Sequence, residues 1–406
     1  MRIAVVIHEY PPLGGGASTA AQATAKAMVE FGHEVLVITA GGQGLPRTQD
    51  DDGVRVERLP SLRLRNLAPS AMELLSFCAS ARLLLTGRLR RFAADGVLAY
   101  FAVPAGAFAV LAARRVGVPV VVSLRGSDVP GFAQGRLDSS LGRLAHPVIR
   151  RTLRRASAVA PNSRVLEDLA AAFMPELAGA MHVIRNGVDR AMIADRPARS
   201  GNQDSPRDRD GPVVIVQLGQ LIPRKRVSFT LAAVAALVAK GRDVRLRVIG
   251  DGPLRDELDA EVTRLDLHSH VIFEGRLARA DVPGALRSGD VFVMTSVAEG
   301  MSNALLEAMA SGLPVLTTRN GSDDVVTAAD AGFVVEADDR AGFEARLDEL
   351  CTRPGERERL ARNGLAYART MTWQACADGF LELFAELARE RRAGTSAGGP
   401  ARRWRD

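Results

Sequence analysis

The chain has 406 residues, 47% of them apolar and 25% charged, more than one hydrophobic core normally organises, and this predicts a soluble protein of two domains of roughly 150 to 200 residues each. Three cysteines, Cys78, Cys351 and Cys376, stand far apart without metal-ligand spacing, which excludes a disulfide framework and a zinc site and fits a reducing cytoplasm. A formal charge of +6 calls for an anionic partner, but with aromatics at only 5% and no recognition motif among the basic stretches, nucleic acid is not expected.

The first strand is expected at Arg2 to Ile7, a β-branched run that gives way at once to His8 and Glu9, so no secretory leader is read there. Gly14-Gly15-Gly16 follows, then helical spacing from Thr19 to Phe31 and a second strand at Val35 to Thr39. In such a β-α-β unit Gly15 and Gly16 let a ligand approach the backbone where a Cβ would collide; a purely structural tight turn is the alternative. The spacing is not G-x-G-x-x-G, so no nicotinamide cofactor is inferred.

Val97 to Ala113 is the longest uncharged stretch, but it contains Pro104 and Gly106 and falls short of the ~20 residues of a membrane span, so it reads as strand, turn and buried helix start. Buried strands are expected at Gly96 to Leu98 and Pro119 to Leu124. The second ends at Arg125-Gly126-Ser127-Asp128, and ligands of open parallel sheets bind outside strand carboxyl ends. Arg125 is therefore a candidate for holding an anion or hydroxyl and Asp128 for orienting a substrate hydroxyl, unless Ser127 or Asp128 simply caps backbone donors. Arg143 to Arg155 interleaves Arg150, Arg151, Arg154 and Arg155 with apolar residues, which is either a solvated helix face or a contact for an anionic membrane surface. Two short strands, Ala158 to Ser163 and His182 to Asp189, close this half. From Ala194 to Pro212 almost nothing is available to bury, which is a linker composition. The predicted N-terminal domain is 1–193 and the linker 194–212.

A second α/β series begins at Val213 to Gly219, giving a C-terminal domain over 213–371. Arg224-Lys225-Arg226 sits beyond the first strand, where three cations would suit a diphosphate. A helix from Ser228 to Lys240, a strand at Val244 to Ile249, the turn Gly250-Asp251-Gly252-Pro253, a helix from Leu254 to Leu265 and a strand from Val271 follow. This alternation implies a parallel doubly wound sheet, and two such domains leave a cleft between them. Asp290 to Ser296 is a further buried strand, followed by Glu299-Gly300-Met301-Ser302-Asn303 and a helix from Ser302 to Ser311 stopped by Gly312 and Pro314. A helix start after a strand and a glycine turn is an anion site, since its first N–H groups have no internal partner. Glu299 and Glu307 flank it, as ligand groups or as a cap and a solvated residue. One helix is expected over Phe343 to Arg362, a final amphipathic helix over 372–391, and a disordered tail over 392–406.

Taken together, Gly219-Gln220-Leu221 with Lys225, Gly250-Asp251-Gly252-Pro253, Phe273-Glu274-Gly275 and above all the Glu299 to Val315 segment resemble the retaining glycosyltransferases of family four. The Gly14 to Gly16 loop, Arg125 to Asp128 and Asn186-Gly187-Val188-Asp189 resemble features of that family's first domain. The resemblance implies the GT-B fold, two facing Rossmann-like domains with an interdomain cleft, and a final helix crossing back to the first domain, which binds the acceptor. It implies a retaining, metal-independent transfer from a nucleotide diphosphate sugar, with no further cofactor, to a hydroxyl of a lipid-linked or polysaccharide intermediate. The expected place is the cytoplasm, with peripheral contact at the inner membrane face.

By the same resemblance, Glu307 takes the ribose hydroxyls and the N–H groups of Met301, Ser302 and Asn303, after Gly300, take the diphosphate. Glu299 contacts the donor sugar, Lys225 with Arg224 neutralises the leaving diphosphate beside Gly219 and Gln220, and Gly275, Arg276 and Leu277 frame the base. Two positions depart from the family: Gln220 replaces a common Arg and Arg125 a frequent His. A nucleotide-sugar epimerase or phosphorylase of the same architecture, or a binding protein without turnover, are the competing readings. The first lacks a recognisable catalytic set and the second a pyridoxal-binding lysine motif, while retention of Lys225, Glu299 and Glu307 speaks against the third.

Overall fold

The computed structural model describes residues 1–63, 69–132, 136–140, 142–195 and 211–396, and the chain divides into two compact units. Met1–Gly187 with Trp373–Asp406 form the first, and Val188–Thr372 the second. The first unit thus releases the chain at Gly187, ahead of the composition shift at 194; most of the expected linker lies outside the described residues.

The first unit opens with β1 (Arg2–Val6), α1 (Gly16–Glu30), β2 (Glu34–Ala40), β3 (Thr48–Asp51) and β4 (Val54–Leu59). It continues through α2 (Ala71–Phe92), β5 (Gly96–Tyr100), α3 (Ala107–Val116) and β6 (Val120–Leu124), then α4 (His146–Arg155), β7 (Ala158–Pro161) and α5 (Arg164–Phe173). Its sheet runs β3-β4-β2-β1-β5-β6-β7, parallel except for the edge pair β3 and β4. The interior strands are apolar on both faces, as a sheet covered by helices on both sides requires. His182 to Asp189 is not a strand. Its N–H groups at His182 and Ile184 donate to Val159 and Pro161 on β7, but only Val188 forms an isolated bridge, with Thr372.

The second unit contains β8 (Val213–Leu218), α6 (Val227–Ala239), β9 (Val244–Ile249), α7 (Arg255–Arg264), β10 (Val271–Gly275) and α8 (Val282–Arg287). After these come β11 (Val291–Met294), α9 (Asn303–Ala310), β12 (Val315–Thr318), α10 (Asp323–Ala329) and β13 (Gly332–Val335), then α11 (Arg340–Thr352) and α12 (Pro354–Ala368). The strand order β10-β9-β8-β11-β12-β13, all parallel, is the doubly wound arrangement whose order reverses between β8 and β11. The single helix expected over Phe343 to Arg362 is two helices, because Pro354 lacks the N–H needed to continue a helix and suits the first turn of a new one.

The last helix, α13 (Trp373–Ser396), belongs to the first unit. Trp373, Phe380 and Phe384 join Ile3, Val5 and Leu98 in one core cluster, and a Cβ on Gly96 would lie 2.7 Å from the Phe384 ring. The helix continues past the expected end at Arg391; the tail from 397 lies outside the described residues. Among the described residues, no helix is long and apolar enough to cross a membrane.

Candidate active site

In the second unit the loops after β8 and β11 leave the sheet side by side, at its reversal point. After β8, a turn over Pro223–Lys225 carries the cations. It is anchored from beneath by Thr295, whose hydroxyl lies 3.0 Å from both the Lys225 and Arg226 carbonyls, while Gln217 and Thr230 each reach that hydroxyl at 3.2 Å. A buried polar network of this kind fixes a loop because each lost bond strands a partner.

Lys225 and Arg224 converge on one carboxylate. Lys225 Nζ lies 2.7 Å and Arg224 Nη1 2.9 Å from Glu299 Oε1. Burial would raise the pKa of Glu299, but the two adjacent cations overcome it and hold the carboxyl down at about 2. Arg226 departs from the expected trio. Its backbone turns through φ +48°, its guanidinium covers the Phe229 ring at 4.5 Å, and Nη1 donates to the Ala337 carbonyl at 2.6 Å. Among the described residues two cations, not three, meet at Glu299.

Glu307, on α9, is buried too, but its partner is one that sequence reasoning missed. Arg279 places Nη1 3.1 Å from Glu307 and Nη2 2.7 Å from Asp189. Burial keeps the Glu307 carboxyl above its usual pKa even with Arg279 opposing it. For Arg279, burial is outweighed by the two carboxylates, which raise it. Asp189 stood in the sequence within a motif already singled out; Arg279 lay in an exposed turn with no periodic signal.

Between the two carboxylates α9 begins. Ser302 caps it, its hydroxyl accepting from the Leu305 N–H at 3.4 Å. The Ser302 N–H, expected to be offered to a diphosphate, donates instead to the Ser322 hydroxyl at 2.9 Å. That hydroxyl comes from the loop Asn320 to Asp323. The loop is held by Asp323 Oδ1 accepting from the Asn320 and Gly321 N–H groups at 3.0 and 2.7 Å. The Asn320 carbonyl in turn receives the Glu299 N–H at 2.5 Å. Gly300 and Met301 are buried beside it.

Three strand ends on the other side of β8 are tied together. Gly219 N–H donates to the Ile249 carbonyl at 2.9 Å, Gly250 N–H to the Gly275 carbonyl at 2.8 Å, and Leu221 N–H to the Asp251 carbonyl at 3.1 Å. The approach is so close that a Cβ on Gly250, at φ +136°, would lie 1.9 Å from the Gly219 oxygen. Gln220 is half-buried in this ladder, Arg276 is exposed just past it, and Leu277 packs against the second unit's core.

In the first unit, Gly15 precedes α1 without a side-chain cap, and Gly14 at φ +94° has no room for a Cβ, which would meet Glu9 and Ser18 at 2.8 Å. Next to this loop, burial drives the His8 pKa down to about 3, with Arg63 adding to the effect. Burial also raises Glu9 to about 6 against the pull of Arg63 and the Gly15 N–H. Neither residue was singled out from sequence. Asp128 proves to be the backbone cap of the two readings. One oxygen accepts from the Arg125 and Gly126 N–H groups at 2.9 and 3.0 Å, the other from Ala102 at 2.7 Å. It shapes the loop and leaves Arg125 as the polar group beside it. On α4, Arg150 stacks over Phe173 at 4.2 Å and Arg154 pairs with Glu176 at 2.9 Å, so part of the basic face is used within the fold.

Comparison with known proteins follows the same division. The family model described as glycosyl transferases group 1 matches residues 212–353, and that of a glycosyl transferase 4-like domain matches residues 15–187. A GDP-mannose-dependent alpha-mannosyltransferase of Mycolicibacterium smegmatis is 31% identical over 93% of this chain and 95% of its own length. The 2-deoxystreptamine glucosyltransferase of Streptomyces kanamyceticus is 31% identical over 71% of this chain and 77% of its own. In fold, the chain is similar to a sucrose-phosphate synthase from Thermosynechococcus elongatus, with TM-score 0.78 and 17% identity over 96% and 99% of the two chains. It is also similar to Anabaena HepE, determined with UDP-glucose, with TM-score 0.72 and 19% identity over 95% and 100%. The fold is GT-B, and the chain belongs to the group 1 glycosyltransferases.

Proposed function

We propose that this glycosyltransferase moves a sugar from a nucleoside diphosphate sugar to an acceptor hydroxyl with retention of configuration and without a metal ion. The observation that carries the reading is the convergence of Lys225 and Arg224 on Glu299 at the reversal point of the second sheet. Two fixed cations beside a helix N-terminus are a preorganised receiver for a diphosphate, and they act where negative charge grows as the anomeric bond breaks. The diphosphate draws Lys225 and Arg224 onto itself, which frees Glu299 to accept from donor-sugar hydroxyls. Glu307 binds the ribose hydroxyls in exchange for Arg279, and Gly275 with Arg276 and Leu277 frames the base. In the chemical step the anomeric C–O bond breaks with its electron pair leaving on the phosphate. The acceptor oxygen forms the new bond on the same face, and its proton passes to that departing phosphate oxygen.

The first unit, with Gly15, Gly16 and Arg125, takes the acceptor, which we assign to the lipid-linked or polysaccharide class. Relatives supporting this are a phosphatidylinositol monomannoside mannosyltransferase of M. smegmatis and a lipopolysaccharide core glycosyltransferase of Rhizobium meliloti. Exposed Leu144 and Val148, with Arg151 on α4, form the contact to an anionic membrane face, and the protein works at the cytoplasmic side. The test is a panel of UDP- and GDP-sugars, read by thermal shift and slow hydrolysis with and without EDTA, with the product anomer read by NMR. Binding and turnover that survive both Lys225→Ala and Glu307→Ala refute the site. An inverted product refutes retention, loss of turnover in EDTA refutes metal independence, and failure to co-sediment with anionic vesicles refutes the membrane contact.

A further inference from the structure

We propose that Arg125 is the receptor for an anionic oxygen group, a carboxylate or a phosphate, carried by the acceptor substrate. This rests on the reading that the first unit takes the acceptor. Arg125 follows β6 and is only 9% exposed. Its guanidinium lies over the Tyr100 ring at 4.1 Å, and Nη1 donates to Asn186 Oδ1 at 2.6 Å. Both partners are neutral: they orient the cation and supply no counter-charge. Nε and Nη2 are buried and, among the described residues, find no hydrogen-bond acceptor. The nearest acid in sequence, Asp128, has both oxygens committed to backbone N–H groups.

The other buried arginines of the first unit set the contrast. Arg63 lies 4.0 Å from the Glu9 carboxylate, and Arg58 spends both terminal nitrogens on three acceptors, the Pro46 and Pro11 carbonyls and the Gln49 side chain. A buried guanidinium is costly to hold without a counter-charge, and one kept with part of its edge unspent beside a strand end is a candidate receiver for an anion arriving from outside. A sugar hydroxyl would need only a neutral acceptor or donor. A guanidinium with one edge unspent matches the two oxygens of a carboxylate or phosphate, and the end of β6 is where a parallel sheet presents ligands.

The test uses the full chain, saturated with UDP or GDP so that Lys225 is occupied, and titrated with matched probes: glucuronate against glucose, and glycerol phosphate against glycerol. The charged member of one pair is expected to bind at least about tenfold more tightly, and which pair discriminates tells a sugar acid from a phosphate. Arg125→Gln abolishes the discrimination and Arg125→Lys keeps most of it. A purely structural arginine would lower the melting temperature of Arg125→Gln and leave the charged-to-neutral ratio as in wild type, which overturns the proposal. Should Arg125→Gln not fold, wild type alone decides: equal affinity within both pairs overturns it. UDP and GDP titrations of wild type report separately on the donor site, so nucleotide binding without anion discrimination refutes this inference and leaves the donor reading standing.

Discussion

Replacing Lys225 with Met removes the closer of two cations from a buried carboxylate while keeping the bulk of the side chain. With both present, Glu299 is held at about 2 against an ordinary 4.5, a difference worth roughly 3 kcal/mol of net stabilisation. Arg224 remains at 2.9 Å, so the loss is not total, but the carboxylate is left with one partner that is itself a third exposed. We expect a loss of about 2–3 kcal/mol at neutral pH, or roughly 4–12 °C in the melting temperature of the second unit. The sign with pH follows from the depressed pKa. Glu299 contributes its stability above about pH 4.5 and loses it as pH falls towards about 2. Lys225→Met raises the folded pKa and shrinks that loss, so wild type and variant converge in acid. Urea denaturation at a series of pH values, followed in wild type, Lys225→Met, Glu299→Gln and the double variant, reads both effects. The double variant should be more stable than Lys225→Met alone, because the stranded charge is gone. Additive single effects, or a parallel acid response in all four proteins, would refute the coupling and with it the picture of a preformed receiver.

Glu307→Gln should weaken nucleotide affinity at least about tenfold by calorimetry while leaving the empty protein as stable or more so, because burial already raises that carboxyl and neutral Gln carries no charge to desolvate. Gly250→Ala should cost more than about 3 kcal/mol, seen as loss of the folded second unit by circular dichroism, since its methyl would lie 1.9 Å from the Gly219 oxygen at φ +136°. Asp128→Ala should destabilise the first unit by about 2–4 kcal/mol in denaturant unfolding, because three backbone N–H groups lose their acceptor at once.

Legibility from sequence varied with how local the cause was. The α9 start and its carboxylates could be read because Gly300, Gly312 and Pro314 punctuate the stretch and Glu299 and Glu307 lie within it. Lys225 was readable for the same reason, next to a strand end. Arg279 was not: its role is created by Asp189, ninety residues earlier in the chain, and by Glu307 on another element. Arg226 was misplaced because composition gives three adjacent cations but not the left-handed turn that swings the third away. His182 to Asp189 has strand-like residues and borrows hydrogen bonds from β7 without becoming a strand. Pro354, by contrast, was a visible helix break that the apolar spacing of Phe343 to Arg362 concealed. The β3–β4 edge and α2, between Thr48 and Phe92, were passed over altogether, lying outside the alternation that made the other elements recognisable.

The position of α13 gives the first unit an unusual order of assembly. Its core is completed by Trp373, Phe380 and Phe384, which pack with Ile3 and Val5 from the opposite end of the chain. Everything from Val188 to Thr372 is therefore synthesised, and its own sheet can close from contacts near in sequence, while the older unit still waits for a wall. During that interval the apolar strip beneath α13 is open to water. A chain stopped at Thr372 should keep a folded second unit and expose that strip, detectable by binding of a hydrophobic dye, so the last helix acts as the closing step of the first unit's folding.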